Sequence, residues 1–166
     1  MTAHSLAAAR LRASNSQRQE VDWRVALTHR EIFERYVYAS AISRDPNATA
    51  AMFTEDGVFE APLVPDGHPL PGRMVGRDAI RTGISAYLRH PAYQGTVNVE
   101  QSAYVLHDTA DPNVFIAEID TVLDEANGQR TTMSLVKIFR VRDGQIASLR
   151  DYFTPPSPVA SDRLTS

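Results

Sequence analysis

The stretch VFIAEIDTVLDEANGQRTTMSLVKIFRVRDGQIASLRDYF, residues 114–153, decides the fold of this chain. Turn dipeptides, Asn127-Gly128 and Asp143-Gly144, separate runs of residues that favour β-strands, and Asp111-Pro112-Asn113 marks a third turn just upstream. With the run that precedes it, the predicted strands are 96–107, 114–123, 131–141 and 145–153. The second half of the chain therefore predicts a four-stranded antiparallel meander.

The first half of the chain has helical periodicity, with apolar residues such as Ile32, Phe33, Tyr36 and Val37 recurring on one face. The predicted elements are helices over 22–44, 47–53 and 78–90, a turn at Glu55-Asp56-Gly57, a short strand over 58–61 and a Pro/Gly-rich loop over 62–72. Helices followed by a meander indicate an α+β fold rather than a parallel βαβ arrangement. We expect a curved antiparallel sheet that encloses a pocket.

Composition limits the functional classes. The chain has no cysteine, which excludes thiolate catalysis, disulfides and cysteine-based metal sites, and its net charge of -3 argues against nucleic-acid binding. No segment is long and apolar enough for a membrane span, so we expect a cytoplasmic protein with no membrane partner. We predict one domain over residues 21–155, a frayed N-terminal arm over 1–20 and a flexible tail over 156–166.

Two carboxylates point to the site. Glu118 and Asp120 share one face of a strand that is largely apolar on both faces, and a buried carboxylate needs a partner, a proton or water. If Asn127-Gly128 forms a two-residue turn, Asp120 pairs with Leu135 and Glu118 with Lys137, the only lysine of the chain. This pattern predicts a polar pocket on that face of the sheet.

The last hairpin decides which way Asp151 faces. A two-residue turn at Asp143-Gly144 would place Arg150 beside Lys137, two cations on one face. A three-residue loop over 142–144, with Gly144 in the left-handed conformation, aims Asp151 into the pocket instead. We prefer the second geometry, because it groups Asp151 with the other acidic side chains and separates the like charges.

Such a pocket has acid–base chemistry. Three neighbouring carboxylates cannot all ionise cheaply, so one should be protonated while Lys137 stabilises another as the anion. We predict Asp151 as general acid/base, Asp120 as its complement, Glu118 with Lys137 as a tuning pair and Tyr36 as a hydrogen-bond donor. Alternatives remain open at this point: a surface ion pair for Asp151, a structural cross-strand pair for Glu118 with Lys137, and core packing for Tyr36.

Further side chains are expected to bind the substrate rather than to react. These are His68, Glu60, Leu135, Met133, Leu149 and Phe153. The histidines His29, His90 and His107 lack the spacing of metal ligands, so we predict neither a metal nor another cofactor.

Several motifs resemble one family. Asp111–Phe115, Glu118–Asp120, Asp143–Ile146 and Arg150–Phe153 are similar to segments of the phenazine-biosynthesis A/B proteins, whose catalytic acid falls at Asp151. Over roughly residues 25–155 the layout resembles the SnoaL-like branch of the nuclear transport factor 2 and ketosteroid-isomerase-like superfamily. This resemblance implies a cone-shaped α+β barrel of the cystatin-like type.

Related enzymes imply specific roles and specific differences. The triad of limonene epoxide hydrolase, Asp-Arg-Asp, would map onto Asp120, Glu118 and Asp151, with Glu118 in place of the arginine. The oxyanion-stabilising tyrosine of steroid isomerases maps onto Tyr36. Other mapped positions differ from those families. Gly83 stands where the phenazine proteins have a helix histidine, Ala61 stands where the isomerases have their general base, and Lys137 stands where the isomerases have a protonated aspartate.

The resemblance implies a function as well. The leading hypothesis is a cofactor-independent cyclase or isomerase that acts on a small hydrophobic, polyketide-like or other secondary metabolite. Two alternatives are an epoxide hydrolase and a non-catalytic small-molecule-binding or dimerisation module. A homodimer is expected, since cones of this type pair readily through their sheets.

Overall fold

The computed structural model describes residues 26–91 and 95–155, together with the backbone of one short strand, His4–Ser5. The α-helices of this part of the chain are α1 (His29–Val37), α2 (Pro46–Ala51) and α3 (Arg77–Arg89). The strands are β1 (His4–Ser5), β2 (Phe53–Glu60), β3 (Arg73–Val75), β4 (Thr96–Val97), β5 (Ala103–Asp108), β6 (Val114–Asp124), β7 (Arg130–Arg142) and β8 (Gln145–Tyr152).

All eight strands belong to one curled sheet with the order β1-β5-β6-β7-β8-β2-β3, and β4 pairs with β6 outside that path. The predicted meander is confirmed, because β5, β6, β7 and β8 are successive antiparallel neighbours, but its first strand, predicted over 96–107, is divided into β4 and β5. The α+β class is also confirmed. The sheet is not wholly antiparallel, however, since β2 runs parallel to β8 and joins the first half of the chain to the meander.

The first helix is shorter than predicted. A capping box starts α1: the Thr28 hydroxyl accepts from the Glu31 backbone N–H, and the Glu31 carboxylate accepts from the Thr28 backbone N–H at 2.8 Å. After Val37 the helix widens into a π-helical turn, Tyr38–Ile42, and Asp45 then caps α2. The predicted start at residue 22 lies outside the described residues.

Strand β2 begins at Phe53, where we had predicted the end of a helix. The segment Glu55-Asp56-Gly57 was expected to be a turn but lies within this strand. Its pairing with β8 shifts register between Phe53 and Val58, and a Cβ at Gly57 would lie 2.9 Å from Cβ of Phe53. Only glycine fits this irregularity, and the residues that suggested a turn mark a bend in a strand.

One aromatic cluster fastens α1 to the sheet. Phe33 contacts Tyr104 at 4.6 Å between ring centroids, and Tyr36 packs edge-on against Phe139 at 5.5 Å. Phe139 in turn stacks on Phe115 at 4.6 Å. The aromatic residues of the sheet alternate along their strands with side chains on the other face. Helix α1 therefore covers only one face of the meander.

The ends of the chain are described only in part. In the arm expected to be frayed, His4–Ser5 pairs antiparallel with Tyr104 and Ala103 of β5. The rest of that arm and the tail over 156–166 lie outside the described residues, so the domain bounds stay predictions. In the described part of the chain, no helix is long and apolar enough to cross a membrane.

Candidate active site

A cavity of about 370 Å³ lies between α1 with its π-helical turn, α3 and the covered face of the sheet. Most of its wall is apolar. The apolar side chains that line it include Val37, Phe59, Leu70, Ile84, Leu88, Ile119, Met133, Leu135 and Phe153. A wall of this kind favours a small hydrophobic ligand.

Asp151 and Lys137 form the charged centre of the cavity. They face each other as a register pair of β8 and β7, and Lys137 Nζ donates to Oδ2 of Asp151. Both side chains are largely buried, with exposed fractions of 13% for Lys137 and 8% for Asp151. The second carboxylate oxygen, Oδ1, is buried and accepts no hydrogen bond from the described residues. One oxygen is therefore held by an ammonium, and the other has no protein partner.

The hairpin that aims Asp151 differs from our prediction. Asp143 and Gly144, both with positive φ (52° and 75°), form a two-residue turn, and Arg142 pairs with Gln145. A β-bulge then shifts the register by one residue between the Val141–Ile146 and Arg140–Ser148 pairs. The turn and the bulge together give Asp151 the orientation we expected from a three-residue loop.

Tyr36 lies beside this pair. It lines the cavity from α1, and Lys137 Nζ is 5.7 Å from the centre of its ring. Burial raises the pKa of the Tyr36 hydroxyl far above its usual value, the negative charge of Asp151 raises it further, and a hydrogen bond with Ser40 acts in the opposite direction. The hydroxyl therefore stays protonated and can donate a hydrogen bond.

Glu118 and Asp120 do not reach the cavity, which is a correction to the predicted site. Glu118 is opposite Val136 and Asp120 is opposite Ser134, so Lys137 is opposite Ala117. The Glu118 side chain is 60% exposed, and its Oε2 lies 3.1 Å from Nε2 of His107. Asp120 Oδ1 accepts a hydrogen bond from the Ser134 hydroxyl at 2.5 Å. These two carboxylates belong to the opposite face of the sheet.

The cause is the loop between β6 and β7. Glu125 donates its backbone N–H to the Gln129 carbonyl at 2.8 Å, which leaves residues 126–128 as a three-residue loop with Gly128 at a φ of 83°. We had predicted a two-residue turn at Asn127-Gly128. A slip of one residue exchanges the two faces of a strand, so this error moved both acids to the wrong side.

The other predicted substrate-binding residues divide into two groups. Leu135, Met133 and Phe153 line the cavity, and their role in substrate binding stays a prediction. The remaining three do not line it, and they are Leu149, His68 and Glu60. Leu149 is fully buried opposite Phe139 in the core, His68 stacks on the cavity-lining Tyr87 at 6.1 Å, and Glu60 forms ion pairs with Arg73 and Arg150.

Sequence reasoning missed the polar side chains that the π-helical turn brings to the cavity. Ser40 lies within this turn, and Arg44 follows it with a positive φ of 52°. A π-helical turn often occurs at a functional site, but it has no sequence signature that we could have used. Thr121 of β6 also lines the cavity, which follows directly from the corrected register.

Gly83 is closely packed rather than catalytic. A Cβ at this position would overlap Sδ of Met74 and lie 3.3 Å from Cγ of Pro71. A histidine there, as in the phenazine proteins, would displace both side chains, so α3 supplies no imidazole to the cavity at this position. No three side chains of the His, Asp or Glu type cluster closely enough to hold a metal within the part of the chain that the structure describes.

Comparison with known proteins agrees with this architecture. The SnoaL-like domain family matches residues 33–149. The PhzA/B-like protein PA3332 of Pseudomonas aeruginosa, whose function is uncharacterised, is 28% identical over 113 residues, 67% of this chain and 74% of that protein. The fold is the nuclear transport factor 2-like cone with a curled half-barrel sheet.

Two solved structures are similar over most of the chain. A candidate isomerase from Bacillus subtilis is 27% identical with a TM-score of 0.61, covering 75% of this chain and 85% of that one. A candidate polyketide cyclase from Pseudomonas putida KT2440 is 21% identical with a TM-score of 0.55, covering 78% and 93% respectively.

Proposed function

The chain belongs to the SnoaL-like domain family, and we propose that it is a cofactor-independent cyclase or isomerase in which Asp151 is the general base. The observation that carries this proposal is the state of the Asp151 carboxylate. Asp151 lines the apolar cavity, Lys137 holds one of its carboxylate oxygens, and the other oxygen is buried and accepts no hydrogen bond from the described residues. A carboxylate oxygen placed in this way is available to take a proton from a bound ligand.

The proposed chemistry is the movement of a proton on carbon. Oδ1 of Asp151 removes a proton from a carbon next to a carbonyl group, and the electron pair moves onto the carbonyl oxygen. The Tyr36 hydroxyl, which burial keeps protonated, donates a hydrogen bond to the negative charge that develops there. The enolate then attacks a second carbonyl of the same molecule, whose oxygen takes the proton from Asp151, or, where the enolate is conjugated with a double bond, it takes that proton back at the far carbon of the conjugated system. The first outcome closes a ring and the second shifts a double bond.

The cavity supports a small hydrophobic substrate. Its walls are mainly aliphatic and aromatic, and its volume of about 370 Å³ suits a molecule of a few fused rings. The candidate polyketide cyclase and candidate isomerase named above have the same overall fold; the first supports a polyketide-like substrate class and the second supports isomerisation. The homodimer and the cytoplasmic location expected from the sequence remain predictions.

The epoxide hydrolase hypothesis loses its basis. It needs Asp120, Glu118 and Asp151 around one ligand, and the first two lie on the opposite face of the sheet. Asp151 is the acidic residue that lines the cavity in the described part of the chain. Hydrolysis by a carboxylate pair is therefore not proposed for this site.

Proton exchange on a carbon acid tests the proposal. We would follow, by proton NMR in heavy water, the exchange of the acidic hydrogens of 2-tetralone, an apolar bicyclic ketone. The wild type should accelerate this exchange over buffer, and Asp151→Asn should lower the rate by about a hundredfold, the usual scale for losing a general base. Asp120→Asn, the same change on the opposite face of the sheet, is the matched control and should leave the rate unchanged.

The result also separates catalysis from the binding-module alternative. If Asp151→Asn binds 2-tetralone as the wild type does but exchanges its hydrogens much more slowly, Asp151 acts in catalysis. If the wild type binds the ketone and gives no exchange above buffer, the cavity is a binding site without this chemistry and the proposal fails.

A further inference from the structure

We infer that Lys137 is itself a covalent catalyst, whose side-chain amine forms an imine with a ketone or aldehyde bound in the cavity. This inference rests on the proposed function and deepens it, because it names the reactive group of the substrate and the bond that activates it. Charge balance alone would give Lys137 the smaller role of a counter-ion for Asp151.

The position of Lys137 suits an amine nucleophile. It is the only lysine among the 17 cationic Lys and Arg residues of the chain, and it lies in the cavity rather than at the surface. An arginine would pair with a carboxylate at least as well, because its planar fork binds both oxygens, but it cannot form an imine. Lys137 lines the mainly apolar cavity, its side chain is 13% exposed, and its Nζ is 5.7 Å from the centre of the Tyr36 ring.

The pair with Asp151 supplies a proton acceptor for this amine. Both side chains are largely buried, and Nζ donates a hydrogen bond directly to Oδ2. One proton moving from Nζ to Oδ2 makes both groups neutral without any proton leaving the cavity. The neutral amine is the form of lysine that attacks carbonyl carbon.

The covalent step balances with these groups alone. The Nζ lone pair forms a bond to the carbonyl carbon, the carbon–oxygen π pair moves to oxygen, and a proton passes from the new ammonium to that oxygen to give a carbinolamine. Asp151, now a carboxylic acid, returns its proton to the hydroxyl group, which leaves as water while the nitrogen lone pair forms the C=N bond. The products are an iminium cation on Lys137, a carboxylate on Asp151 and one water molecule.

The iminium makes the next step easier. Its positive charge acidifies the hydrogens on the neighbouring carbon, and the restored Asp151 carboxylate lies beside it to remove one of them. The resulting enamine is a carbon nucleophile that can attack a second carbonyl, after which water releases the product and regenerates the amine. The substrate class that follows is an unhindered ketone or aldehyde with at least one hydrogen on the adjacent carbon.

Reductive trapping tests the inference directly. The full chain would be incubated with 2-tetralone and sodium cyanoborohydride, which reduces an iminium to a stable secondary amine, and the intact mass would be measured over time. We expect one adduct per chain, which peptide mapping places on Lys137. The N-terminal amine is an internal reference within the same molecules, and we expect Lys137 to react at least about tenfold faster because its cavity binds the ketone and excludes water.

Two variants sharpen the result. Lys137→Arg keeps the positive charge and should give no adduct at that position, while Asp151→Asn removes the proton acceptor and should slow adduct formation at Lys137 by about tenfold or more. Since mapping of the wild type locates the adduct without any substitution, the test stands even where a variant fails to fold.

The outcomes separate this inference from the proposed function. If 2-tetralone, cyclohexanone and benzaldehyde all label only the N-terminal amine, the imine is overturned. A low rate of hydrogen exchange in the Asp151→Asn variant would still support Asp151 as the general base. If Lys137 is labelled and the Asp151→Asn variant exchanges hydrogens at the wild-type rate, the imine stands and the proposed role of Asp151 fails.

Discussion

Replacing Lys137 by methionine should reveal how deeply the Asp151 carboxylate is buried. Methionine fills a similar volume without the charge, so the substitution leaves Asp151, 8% exposed, with no cation beside it. Breaking a buried pair in this way costs about 3–5 kcal/mol of unfolding free energy, because the remaining charge is uncompensated. A loss of this size is a large part of the stability of a typical domain.

Urea unfolding monitored by circular dichroism measures this loss of unfolding free energy. The deficit of Lys137→Met should be largest near pH 8 and shrink toward pH 5, because the isolated carboxylate can escape its buried charge by taking up a proton. The double variant with Asp151→Asn should recover most of the lost stability, since no charge is then buried. As a control, Arg81→Met removes the cation of an exposed pair with Asp78 and should cost at most about 0.5 kcal/mol.

A different result would refute the reasoning. If Lys137→Met loses no more stability than Arg81→Met, and loses it equally at both pH values, water reaches the Asp151 carboxylate freely. The cavity would then lack the low-dielectric character on which the proposed general base and the proposed imine both depend.

Three further predictions concern stability. Above about pH 10, Tyr36→Phe should be harder to unfold than the wild type. Burial raises the pKa of the Tyr36 hydroxyl, so the stability that this group contributes is complete below its pKa in the unfolded chain and is lost as pH rises through its pKa in the folded chain. Urea unfolding at several alkaline pH values measures the difference. Gly83→Ala should destabilise by about 1–3 kcal/mol in thermal unfolding, although alanine normally favours a helix, because its Cβ would overlap Met74; no loss would contradict this packing. Thr28→Ala should cost about 1 kcal/mol at neutral pH and less in acid. Hydrogen bonds from the Thr28 backbone and from its hydroxyl lower the pKa of Glu31, and alanine removes the hydroxyl bond, which the wild type itself loses as Glu31 protonates; an equal cost at every pH would contradict this contact.

The fold was largely predictable from local patterns. Periodicity and turn residues identified the helices and the meander, because each depends on residues close in the chain. The parallel pairing of β2 with β8 was not predictable in this way. It joins residues about ninety positions apart, Phe53 and Ile146 among them, and its irregular register centres on Gly57, which looked like a turn residue.

The site was half predictable, and hairpin register explains the difference. A turn signal such as Asn127-Gly128 or Asp143-Gly144 locates a hairpin but does not fix whether its loop has two residues or three. We assigned the two loop lengths the wrong way round. The error placed Glu118 and Asp120 on the cavity face, although they lie on the opposite face of the sheet. For Asp151 the predicted face was still correct, because a bulge beyond the turn shifts the register by one residue.

A backbone irregularity of this kind has no composition signal. The bulge near Ala147 and the π-helical turn over residues 38–42 both depend on how the chain packs over the whole cavity. They are also the features that place Asp151 and Ser40 at the cavity wall.

Carbon-13 NMR of the side-chain carboxyl groups, recorded during titration with 2-tetralone, tests most directly whether Asp151 is the acid that meets the ligand. We predict that the Asp151 carboxyl resonance shifts as the ketone saturates the cavity, while those of Glu118 and Asp120 stay in place. A shift at Glu118 or Asp120 with none at Asp151 would put the ligand on the opposite face of the sheet and contradict the account.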